Sequence, residues 1–104
     1  MIDFSKCRYK SEHCPDISKI EEKAENNSQM SDIFLITLSD KTDELLTIYP
    51  YSILRQDYYH DKEQAAVGAA KGYKEALSLT ESIINDVLRS SGTIGREQIC
   101  QYFS

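Results

Sequence analysis

Ile33-Phe34-Leu35-Ile36-Thr37-Leu38 is the stretch whose reading decides the fold of this chain. Branched, aromatic and leucine side chains follow one another with Thr37 as the one polar interruption, a composition that suits a strand buried on both faces. It is read as the central strand of a sheet. Ser39-Asp40-Lys41-Thr42-Asp43 ends the run, and Thr42 with Asp43 and Glu44 behind it offers a helix N-cap followed by acids in the first turn.

Two readings of the next segment stay open. Leu45, Leu46, Tyr49, Ile53 and Tyr58 recur at helical spacing through Tyr59, with Pro50 removing a backbone donor and kinking the helix. Alternatively Leu45 to Tyr49 is a strand in a hairpin with the central strand, and Pro50 opens a shorter helix. Further on, Gln64-Ala65-Ala66-Val67-Gly68-Ala69-Ala70 is read as a strand of small residues lying under a packed helix, since small side chains allow close backbone approach. That helix is the clearest in the chain. Ala76, Leu77, Thr80, Ile83, Ile84, Val87 and Leu88 fall at i, i+3, i+4 steps with Lys74, Glu75, Glu81, Asn85 and Arg89 between them. Gly92 is placed to close it in a left-handed C-cap, and residues 93–103 form a short final helix or turn.

Upstream, residues 1–31 are polar, with Phe4, Ile17 and Ile20 as their main apolar content. Pro15 and Asp16 open a short helix reaching Glu25, with Ile17, Ile20 and Ala24 on its inner side. Asn26-Asn27-Ser28-Gln29 is a loop, and a boundary is expected near Ser31. The expected organisation is therefore a polar N-terminal segment over 1–31, carrying a peripheral helix, and a compact core over 32–104. The fold class is α/β or α+β with a β-α-β-α core. If a helix joins the two strands, they lie parallel through a right-handed crossover. Two strands make an inadequate sheet, so a hairpin strand or dimerisation must complete it.

The chain has 104 residues, with 17 acidic against 12 basic side chains and a formal charge of −5. One core is expected at this size. The negative field repels phosphate backbones, which disfavours nucleic acid as a partner. No run of the sequence approaches the ~20 apolar residues of a membrane span. Residues 1–10 lack an apolar leader core, and the odd number of cysteines, Cys7, Cys14 and Cys100, reads as reduced thiols. A cytoplasmic protein of bacterial style is the expectation.

Chemistry-bearing patterns are sparse. Val67-Gly68-Ala69-Ala70-Lys71-Gly72-Tyr73 places glycines before a helix, where backbone donors and the helix dipole attract anions. Its glycine spacing matches neither phosphate-binding fingerprint, so Gly72 is first of all a turn residue. Ser39, Lys71, Gly72 and Tyr73 are the residues that an anion or small ligand would meet there. Cys7, His13 and Cys14 make half of a zinc set that only distant His60 and Cys100 could complete, and packed or exposed residues are the simpler reading. His60 lies among Asp57, Tyr59 and Asp61, but neither Ser39, Ser52 nor Cys100 sits in a nucleophile context beside it. No cofactor is expected.

The chain has 7 tyrosines and no tryptophan, and five of the tyrosines crowd its middle region. With Tyr49 and Tyr58 inward on helical spacing, Tyr51, Arg55, Tyr59 and His60 form a candidate protein interface. The leading functional expectation is a non-enzymatic protein-interaction or regulatory module, with a protein partner or a second copy of itself. The rival is a ligand-binding module or enzyme whose site lies at the strand-to-helix turns, where Ser39 and residues 71–73 would meet.

Overall fold

A strand apolar at every turn of its pleat must be covered on both sides, and β3 (Ile33–Leu38) is covered so. The computed structural model describes residues 2–25, 32–38, 45–51 and 64–103. In chain order these form β1 (Ile2–Asp3), β2 (Tyr9–Lys10), α1 (Ile17–Glu25), β3, β4 (Leu46–Pro50), β5 (Gln64–Lys71), α2 (Tyr73–Ser91) and α3 (Arg96–Tyr102). The class is α+β. β3 and β5 are the inner strands of a mixed sheet, β4 is one edge, and β1 and β2 together run along the other edge of β5.

The hairpin reading of residues 45–49 is the one observed. β4 pairs antiparallel with β3, with Leu35 opposite Tyr49 and Ile36 opposite Ile48. The expectation of two parallel strands is corrected accordingly: β5 pairs with β3 antiparallel, Leu35 opposite Ala69 and Ile36 opposite Gly68. β4 and β5, each antiparallel to β3, flank it and run parallel to one another. The parallel pairs lie elsewhere, between β5 and the two N-terminal strands, with Ile2 opposite Gln64 and Tyr9 opposite Gly68. Ile2–Asp3 and Tyr9–Lys10 thus belong to the sheet, although the polarity of residues 1–31 suggested a peripheral segment.

Alternation sorts the core into two layers. Ile33 and Leu35 face α1 and pack with Cys14, Ile20, Tyr51 and Ala69. Ile36 faces the other way, into a cluster of Val67, Ile83, Val87, Ile99 and Phe103 beneath α2 and α3. Between Ile36 and Thr37 the register on β5 jumps from Gly68 to Ala66, leaving Val67 as the extra residue of a bulge. The bulge explains how Val67 and the adjoining Gly68 both serve the α2 side.

β5 is small for the expected reason. Ala66, Val67, Ala69 and Ala70 are fully buried, and a Cβ on Gly68 would meet Ile36 Cδ1 at 3.3 Å and Leu79 Cδ2 at 3.4 Å. The helix therefore crosses the strand where the side chain is missing. Gly72 leads into α2 at φ 84°, ψ 153°, and Gly92 closes it at φ 78° with its N–H donating to Leu88 O at 2.7 Å. Both are backbone conformations that a side chain resists.

Candidate functional site

The turn from β5 into α2 is where the sequence placed an anion or ligand. Lys71 and Tyr73 are exposed there, and Ser39 lies outside the described residues. Two backbone donors of the turn are already engaged: Gly72 N–H donates to Asp32 O at 2.8 Å, and Lys71 N–H donates to Ser11 Oγ at 3.0 Å. A carboxylate also stands in the first turn of the helix. His13 Nδ1 donates to Glu75 Oε2 at 3.0 Å, the only direction open to an ionised acceptor. The Ser11 hydroxyl, and then the His13 ring, hold the Glu75 carboxyl below the usual carboxylate range. The positive end of the helix is thereby answered from within the chain.

This cluster brings Ser11, His13 and Glu75 together, but not in an order that makes a nucleophile. The acid sits between hydroxyl and imidazole, so no base is aimed at Ser11 Oγ, whose lone pair receives the Lys71 amide. Cys14 is nearby in the chain and 5% exposed, with its thiol pushed up to about 11 by burial, which keeps it protonated and unreactive at neutral pH. Cys100 is exposed on α3. Among the described residues no three His, Cys, Asp or Glu side chains converge as metal ligands.

The tyrosine interface needs correction at Tyr51. It is 2% exposed and packs with Ile33, Leu35 and Ala69 on the α1 side. The cause is periodicity: β4 alternates, so Tyr49 and Tyr51 share the α1 face, whereas helical spacing would have separated them. Arg55, Tyr59 and His60 lie outside the described residues.

Sequence reasoning did not anticipate a polar brace between β2, α2 and α3. Tyr9 OH donates to Asp86 Oδ2 at 2.7 Å, and Tyr102 OH donates to the Tyr9 oxygen at 2.9 Å. Burial first, then the bonds to Tyr102 and Asp86, push the Tyr9 phenol far above its ordinary range. Arg8 donates to Tyr102 O at 3.1 Å and lies 6.0 Å from the centre of the Phe103 ring. No local spacing announces this group, because its members come from both ends of the chain.

The remaining feature is the flank of α2. Tyr73, Leu77 and Leu88 are 55%, 48% and 42% exposed, and Ile84 is half-buried. At 3.6 residues per turn these four lie within about 60° of one another, and about 90° from the line of Ala76, Ile83 and Val87 that faces the sheet. Leu79 and Asp86 mark the opposite flank, over Gly68 and Tyr9. The apolar flank therefore looks toward β3 and β4, where Tyr73 meets Phe34 edge to face at 5.7 Å and Leu46 and Ile48 are only half-buried. Lys74, Glu81 and Asn85 border it with polar groups. The helical spacing of Leu77, Ile84 and Leu88 is legible in the sequence; their place on the exposed flank is seen only once the helix is packed on the sheet.

Comparison of the chain with protein-family models, curated proteins and solved structures returned no match. No helix of the described residues is long and apolar enough to cross a membrane.

Proposed function

We propose that this chain is a non-enzymatic protein-interaction or regulatory module that docks a partner protein on the outer flank of α2. The observation that carries the reading is the exposure of Tyr73, Leu77 and Leu88 along a flank of the helix about 90° from the buried line of Ala76, Ile83 and Val87. Isolated exposed apolar residues are ordinary, but an aligned apolar row with a polar border has the make-up of an interface centre. Tyrosine fits such a place because it brings a large rigid surface at small entropic cost. With Leu77 48% and Leu88 42% exposed, completing the burial of each would contribute about 1 kcal/mol. The formal charge of −5 supports a protein rather than a nucleic acid as the occupant. The thiols of Cys14 and Cys100 support a reducing compartment, in keeping with the cytoplasm. A ligand site at the turn has less support, since Ser11 and Asp32 take the Lys71 and Gly72 amides and Glu75 sets a carboxylate in the first turn of the helix.

A photocrosslinking amino acid at position 77 tests this in the native cell, with the same probe at Glu97 on α3 as reference. A discrete adduct at 77 that is absent at 97, and that disappears when Tyr73→Ala and Leu88→Asp are added, supports the reading. An adduct of twice the chain mass identifies the partner as a second copy. Equal or diffuse labelling at both positions overturns it.

A further inference from the structure

We draw no further inference here: the strongest candidate, the exposed apolar flank of α2 from Tyr73 to Leu88, belongs to the surface already described, and nothing in the structure shows which occupant covers it.

Discussion

Gly72 and Gly68 resist an added methyl group for different physical reasons. At Gly72 a Cβ meets nothing within 4 Å, yet φ is 84° with ψ 153°, a region nearly closed to side chains. Gly72→Ala is therefore expected to cost about 1–3 kcal/mol through backbone strain alone. At Gly68 the backbone is ordinary and the contacts at 3.3–3.4 Å are with side-chain atoms of Ile36, Leu79 and Tyr9. Gly68→Ala should stay within about 1 kcal/mol, whereas Gly68→Val overpacks the helix–strand crossing and should cost about 1–3 kcal/mol. Urea denaturation ranks the variants; a Gly72→Ala protein as stable as the parent would contradict the turn geometry. Tyr9 supplies a titration at the same scale. Its folded pKa lies above its unfolded value of 10.0, so the folded state keeps a proton that the unfolded chain releases. That stabilisation is complete below pH 10 and is lost as pH rises further, with a slope of at most about 1.4 kcal/mol per pH unit. Tyr9→Phe should flatten the alkaline limb of the stability profile. Such residues are hard to read from sequence: Gly72 and Gly92 announce themselves as helix punctuation, but the bonds of Tyr9 to Asp86 and Tyr102 depend on the finished fold.

Among the elements, the connection between β2 and α1 is held down by side-chain chemistry. Ser11 is 8% exposed, its N–H donates to Ala69 O at 3.0 Å, and its Oγ accepts from Lys71 N–H at 3.0 Å. Ser11→Ala leaves that amide without its acceptor, at an expected cost of about 1–3 kcal/mol by thermal or urea unfolding. Glu75 completes the clasp, and its sign is opposite to that of Tyr9. A carboxyl held below its unfolded value of 4.5 stabilises the fold above that pH, and the contribution disappears as pH falls through the folded pKa. Glu75→Gln should weaken the acid-side dependence, to which the lowered Asp3 carboxyl also contributes, while leaving the alkaline limb as it is. The elements differ in how openly the sequence displays them. Ile33 to Leu38 is plain because burial on two faces demands apolar side chains at nearly every position, Thr37 excepted, and Gln64 to Lys71 is plain because a crossing helix demands small ones. β1 and β2 are two residues each and are held by backbone bonds to β5, so no side-chain pattern marks them. Tyr51 was misplaced because a period of two was read as a period of 3.6.

For the molecule as a whole, the buried line and the exposed flank of α2 give mutations of different kinds. Ile83 is fully buried under the helix, and Ile83→Ala should cost about 2–5 kcal/mol. Leu77→Asp and Leu88→Asp lie on the exposed flank and should change stability by no more than about 0.5 kcal/mol. If the flank is the docking surface, the same pair weakens partner capture by about tenfold or more, with a melting temperature close to that of the parent. Capture that survives the double aspartate variant would sink the proposal without touching the fold. The α+β class and the place of α2 followed from composition and periodicity; the strand directions did not, because they depend on the path between β3 and β5. The pairing of β1 and β2 with β5 has one more consequence, for the order in which the protein is made. Synthesis at about 5–20 residues per second delivers the first edge of the sheet well before the strand that it must join. β5 has neighbours on both sides and comes late in the chain, so neither N-terminal strand has a ladder to enter until residue 71 has left the ribosome. β1 and β2 therefore wait for β5 before they reach their native places, and the nascent chain must remain soluble until then.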